Sequence, residues 1–214
     1  MKSSQDNRNR ILSEYYEILN LFEDFLRKGY RRGFEMSPAL NSPEESPGKK
    51  EAALKQLNDD ISRCTLCRLQ SSRTHTVPGE GVMNPLVMVI GEAPGADEDK
   101  SGRPFVGKAG QYLDQWLKAI GLSRETNCFI GNIVKCRPPE NREPLPDESE
   151  ACRPYLETQI SLIKPKAILS VGRIAAQTLT GIASGIASLR GNTYDYRGIP
   201  LIPTYHPSGV LRNK

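Results

Sequence analysis

The chain has 214 residues, 37% of them apolar, and 29 Lys+Arg against 25 Asp+Glu give a net charge of +4. That length admits one α/β domain of about 150 residues plus an appendage, and the mild basic balance permits a polyanionic partner without demanding one. The sequence has no run of about 18 apolar residues, which excludes a transmembrane helix, and no N-terminal signal core, so the expected compartment is the cytoplasm, where cysteines serve more often as ligands than as disulfides.

Residues 1–50 are expected to form an appendage. Ile11, Tyr15, Ile18, Phe22 and Phe25 recur at helical spacing, the pattern of an amphipathic helix with a face to offer its own domain, another protein or a second copy. Its polar face mixes acids with bases, so a membrane-surface role is discounted. Ser37 to Gly48 is a linker by composition. The core is expected over 51–214, starting with a helix from Glu51 to Arg63 that runs into Cys64-Thr-Leu-Cys67.

Leu86 to Ile90 is a continuous apolar run, as in a strand buried on both faces. After Gly91 comes a long loop rich in Gly, Asp, Glu and Pro, with Phe105 embedded in it. Loops of that length inside compact domains are usually functional. Gly110 to Ile120 reads as a helix, Cys128 to Val134 as a second buried strand, Pro146 to about Ile163 as a helix, and Lys166 to Gly172 as a third strand before a helix to about Thr180. Tyr194 to Pro203 reads as an edge hairpin and fourth strand, followed by Thr204-Tyr-His-Pro-Ser208. Alternation of strands and helices predicts an α/β fold, a three-layer α/β/α sandwich with a short, mostly parallel central sheet. Ligands then bind at the carboxyl ends of the strands. The long loop, Asn132 and His206 all lie at such ends.

Cys64, Cys67, Cys136 and Cys152 suit either a tetrahedral zinc or a [4Fe-4S] cluster. A zinc ribbon usually shows two C-x2-C knuckles and only one is present, which tilts the reading toward iron–sulfur. Cys128 falls inside a strand pattern and reads as core.

Cys64-x2-Cys67, Gly91-Glu-Ala-Pro-Gly95, Gly102-Arg-Pro-Phe-Val-Gly107, Asn132-Ile-Val-Lys-Cys-Arg-Pro138, Cys152 and His206-Pro-Ser208 together resemble the iron–sulfur, or family four, uracil-DNA glycosylases, in order and spacing. The resemblance implies a [4Fe-4S] cluster on the four cysteines, uracil-containing DNA as partner, and hydrolysis of the N-glycosidic bond to leave an abasic site. The residues suit that chemistry. Phe105 is the candidate stacking platform for an everted base, and base–aromatic stacking contributes about 1–3 kcal/mol. Asn132 is placed to accept from N3–H and donate to O4, which penalises cytosine. His206 matches the family's donor to the O2 charge that develops on cleavage. Glu92 and Glu98 are candidate water-orienting groups, and by analogy Glu98 also stands near the C5 edge. Ala93 occupies the position where better-known uracil glycosylases carry an Asp. Backbone amides around Glu92 and Ala93 are expected to help hold the uracil carbonyl. Ser208 and the residues after it resemble a loop that presses on the minor groove, with Leu211 as a wedge. Lys108, Lys135 and Arg137 are candidate phosphate contacts.

Two departures accompany the match. The family usually continues with a further helix after His-Pro-Ser, where this sequence has only the residues to Lys214. Residues 1–50 lie outside the common core. The alternative reading is a catalytically silent DNA-binding module of the same fold, acting with a polymerase or repair partner.

Overall fold

The computed structural model describes residues 47–212. The amphipathic helix and most of the linker expected before them lie outside the described residues. Six strands form one sheet: β1 (Glu80–Gly81), β2 (Val87–Gly91), β3 (Cys128–Asn132), β4 (Ala167–Val171), β5 (Tyr194–Tyr196) and β6 (Ile199–Thr204), in the order β1-β3-β2-β4-β6-β5. The four inner strands run parallel, and both edge strands pair antiparallel. The expected parallel sheet is therefore its centre. Every residue of β2, β3 and β4 is buried, as continuous apolar runs require when helices cover both faces.

Alternate strand residues feed two cores. Met88, Ile90, Phe129 and Ile168 pack under α4 (Pro146–Ile163) and α5 (Arg173–Thr180). Val87, Val89, Ile130 and Leu169 pack under α3 (Lys108–Ala119), whose Leu113, Trp116 and Leu117 form its buried stripe. Helix α1 (Pro47–Ser62) starts four residues before the expected Glu51, inside the predicted linker, and packs against α4. Proline is tolerated at a first helical position because its missing N–H would have no partner there. The loop after β2 is not bare either: it contains α2 (Ala96–Ser101). Short α6 (Ile186–Leu189) precedes the β5–β6 hairpin, and α7 (Pro207–Arg212) follows β6, so a helical turn does continue from His206. None of the described helices is long and apolar enough to cross a membrane.

The chain leaves β2 toward β3 on one side and returns past it to β4 on the other. Adjacent strands β2 and β4 thus send their connections in opposite directions, which opens a crevice at their carboxyl ends.

Candidate functional site

That crevice is a cleft of about 520 Å³ lined by the loop after β2 (Glu92, Ala93, Pro94, Gly95, Glu98, Phe105), by Asn132 closing β3, by Gly172 and Arg173 after β4, and by His206 and Ser208 after β6. Gly91 and Asn132 are cross-strand partners at the ends of β2 and β3. The absent side chain at Gly91 is what lets the site close. A Cβ there would lie 2.5 Å from Asn132 Oδ1 and 2.6 Å from Phe105 Cζ. Asn132 is 1% exposed, and its Oδ1 has no hydrogen-bond partner among the described residues. A buried carbonyl left unpaired costs about 1–3 kcal/mol, so its presence in a cleft points to a ligand that supplies the missing donor.

Phe105 is 6% exposed and lies 5.8 Å, centroid to centroid, from the His206 ring. The imidazole's tautomer follows from its neighbours. The Ser208 backbone N–H donates to His206 Nδ1 at 3.2 Å, with the Ser208 hydroxyl 2.8 Å from the same nitrogen. A backbone amide can only donate, so Nδ1 is the acceptor and the proton of the neutral ring sits on Nε2. Burial, and then Arg212, lower the His206 pKa to about 4, against an opposing pull from Glu98. The ring is therefore a neutral donor at ordinary pH.

Burial raises the pKa of the Glu92 carboxyl, helped by Glu143 and opposed by Arg173. Glu98 is committed to the loop itself. Its Oε1 accepts the Val106 and Gly107 amides at 2.8 and 2.9 Å, and its Oε2 accepts the Gly95 amide at 3.1 Å. Leu211 lies on α7 outside the cleft lining, whereas its neighbour Arg212 is part of it.

Lys135 is not a surface cation. It is 1% exposed, and its Nζ donates to the Asn132 carbonyl at 2.7 Å, so it braces the end of β3 and is not free to reach a phosphate. Lys108 is exposed, and Arg137 is half-buried and donates to Asn141 Oδ1 at 2.8 Å. The cleft also holds two arginines that the sequence reading passed over, Arg142 and Arg173, beside Arg212 from the segment after Ser208. Arg173 directly follows the third predicted strand, so the strand-end rule that selected Asn132 and His206 selects it too.

Cys64, Cys67, Cys136 and Cys152 line one narrow cavity between α1, the β3–α4 connection and α4. Three sulfurs already receive N–H donors: the Leu66 amide to Cys64 at 3.5 Å, Arg73 to Cys136 at 3.2 Å, and the Lys135 amide to Cys152 at 3.3 Å. Donors of this kind stabilise thiolates and metal-bound sulfur. Among the described residues no three His, Cys, Asp or Glu side chains are set around a single metal ion. Cys128 is buried in β3, where burial pushes its thiol up to about 12, as suits a core residue.

An aromatic face, a buried amide and a neutral imidazole around one slot can take a planar ring with hydrogen-bonding groups on its edge. Residues 78–214 match the family described as "Uracil DNA glycosylase superfamily". The chain is 44% identical over 170 residues to the type-4 uracil-DNA glycosylase of Sulfurisphaera tokodaii, covering 75% of this chain and 77% of that one. It is 46% identical over 167 residues to the type-4 uracil-DNA glycosylase of Pyrobaculum aerophilum, covering 74% and 85%. With the enzyme of the same name from Thermotoga maritima the figures are 42% over 167 residues, covering 77% and 86%. The chain belongs to the uracil-DNA glycosylase superfamily and, within it, to the type-4 uracil-DNA glycosylases.

Proposed function

We infer that this protein is a DNA-repair hydrolase that cleaves the N-glycosidic bond between uracil and deoxyribose, leaving an abasic site. The observation that carries the reading is the unpaired, buried amide oxygen of Asn132 beside Phe105. Eversion of a base costs a few kcal/mol. Stacking on Phe105 returns about 1–3 kcal/mol of that. Asn132 accepts from uracil N3–H and donates to O4. Cytosine has no proton at N3 and an amino group at C4, so both contacts fail.

Cleavage leaves the glycosidic electron pair on uracil, chiefly as charge on O2. His206 donates from Nε2 to that oxygen. One preorganised donor of this kind is commonly worth about 3–4 kcal/mol in the transition state. Because the ring is neutral and buried, it needs no deprotonation before it acts. The water oxygen bonds to C1′, and the proton it sheds is taken up at the departing uracil. Ala93 offers no side-chain base, so Glu92 is assigned the role of orienting that water. Glu98 is a positioning residue, since both its oxygens are held by loop amides. Leu211, beside Arg212 and Ser208, is assigned to the gap left by the everted base.

The cofactor assigned to Cys64, Cys67, Cys136 and Cys152 is a [4Fe-4S] cluster. The all-sulfur donor set suits it, and four sulfurs spread around a cavity suit a cluster better than a lone zinc with bonds of about 2.3 Å. When bound, the group cross-links chain segments and takes no part in the base chemistry. The partner is uracil-containing DNA, single- or double-stranded. The compartment assigned is the cytoplasm.

The test is incubation with an oligonucleotide carrying one uracil, followed by alkali. Strand scission at the uracil is expected, with a loss of about 100-fold or more in His206→Ala, the scale of removing one oxyanion donor. Tight binding with no scission by the wild type would identify a silent DNA-binding module instead.

A further inference from the structure

We propose that Arg124 is a positioning residue that sets the stacking platform: it holds Phe105 in the backbone conformation that aims its ring into the cleft. The inference rests on the glycosylase reading above. Phe105 has φ 51°, in the left-handed region. Bulky residues avoid that region, so a Phe stays there only where its surroundings over-determine it.

Those surroundings are a clamp on both edges of the peptide chain. Arg124 is 9% exposed and lies between α3 and β3. Its Nη1 donates to the Pro104 carbonyl at 2.9 Å, and its Nη2 to the Phe105 carbonyl at 3.0 Å. On the opposite edge, Glu98 Oε1 takes the amides of Val106 and Gly107. The carbonyls before the turn are thus fixed by a cation and the amides after it by an anion. Beneath them Gly110 leaves no slack, since a Cβ there would come within 1.9 Å of the Phe105 oxygen.

The guanidinium is itself fixed. Asp114 Oδ1 on α3 accepts from Nε at 3.2 Å and from Nη2 at 2.7 Å, and Glu80 on β1 accepts from Nη1. Glu80 also takes Arg103 at 2.8 and 3.1 Å, so the chain on the N-terminal side of Phe105 is tied to the same carboxylate. Only a planar fork with several donors reaches two carbonyls and two carboxylates together. Lysine keeps the charge and loses the fork.

A merely structural Arg124 would affect stability and leave uracil binding alone. A positioning Arg124 acts through Phe105 and must be silent once that ring is gone. The experiment is a double-mutant cycle of Arg124→Lys and Phe105→Ala, read by inhibition with free uracil and by kcat and KM on a uracil oligonucleotide. With Phe105 intact, Arg124→Lys is expected to raise the uracil inhibition constant about tenfold, a partial loss of base–aromatic stacking. It should lower kcat with little change in the KM for DNA. In the Phe105→Ala background the same substitution should change the inhibition constant less than about twofold, because coupled sites are non-additive. An unchanged inhibition constant in the first background, or the full effect in the second, overturns the proposal. If Arg124→Lys fails to fold, Asp114→Ala replaces it in the cycle: the half-exposed position spares the core, the substitution removes one support of the fork, and a smaller effect with the same non-additivity is expected. A wild type that does not release uracil would defeat the glycosylase reading itself, not the clamp.

Discussion

His206 carries a sharp pH signature. Its pKa is about 4 against an ordinary 6.5, chiefly through burial. Between those values the unfolded chain takes up the proton more readily than the folded one. The stability contributed by the neutral ring is whole above about pH 6.5 and is lost as pH falls toward 4. At about 1.4 kcal/mol per pH unit the full loss is about 3 kcal/mol. Urea unfolding at pH 7 and pH 5 should show His206→Asn losing about 2 kcal/mol less than the wild type over that interval. The catalytic profile has the same origin. A neutral Nε2 donor predicts a single-turnover rate that does not rise as pH drops from 8 to 6. A rate climbing with protonation near 6.5 would mean that the imidazolium is the donor and would refute the assignment of Nδ1 as acceptor.

The connection from β2 to α3 shows what a sequence reveals and what it hides. The apolar run of β2, the Gly-Pro turns and the embedded Phe105 mark a functional loop because each is a local signal. Helix α4 is likewise readable from Pro146 and the acids after it. Two features of the loop are not local. Ala96 to Ser101 is too short to announce a helix by periodicity, and Glu98 acts on amides at Val106 and Gly107, eight and nine residues on. Strand β1 has two residues and exists only by pairing with β3. Lys135 misleads for a related reason: a lysine in a basic motif reads as surface until the fold places its Nζ on the Asn132 carbonyl. Gly91 combines both kinds of information. Its sequence position ends a strand, and its structural reason is the approach of Asn132 and Phe105. Gly91→Ala must push one of these aside. Uracil excision is expected to fall about 100-fold, the cost of a misplacement near 1 Å, while overpacking lowers stability by only about 1–3 kcal/mol. Near-wild-type kcat/KM in this variant, measured on the uracil oligonucleotide, would show that the pocket does not depend on that approach.

The four cysteines come from segments that the packing of α1 on α4 and the Arg68–Asp147 ion pair also tie together. Cys64 and Cys67 follow α1, Cys136 follows β3, and Cys152 sits in α4. Helix α1 buries few large side chains, chiefly Ile61 with Leu54 packed at the margin of the core. The [4Fe-4S] cluster proposed above would bridge these segments and add to the packing that holds α1 in place. The two ends of the bridge are not equivalent. Cys64 and Cys67 lie on the α1 side, whereas the Cys152 sulfur accepts the Lys135 amide, and Lys135 in turn holds the strand end that presents Asn132. Cys64→Ser and Cys152→Ser should both bleach the brown colour expected of an iron–sulfur protein and lower Tm by about 10 °C or more. They should differ in where the damage goes. In Cys64→Ser, amide exchange is expected to quicken over 47–75 first, with excision largely kept at temperatures below the new Tm. In Cys152→Ser, exchange should quicken around 132–136 as well, and excision should fall with it, because a hydroxyl on a shorter bond replaces the sulfur that accepts the Lys135 amide and loosens the backbone that places Asn132. Equal losses of activity in the two variants at equal residual stability would show that the bridge acts on the fold as a whole and that the path through Lys135 carries no special weight.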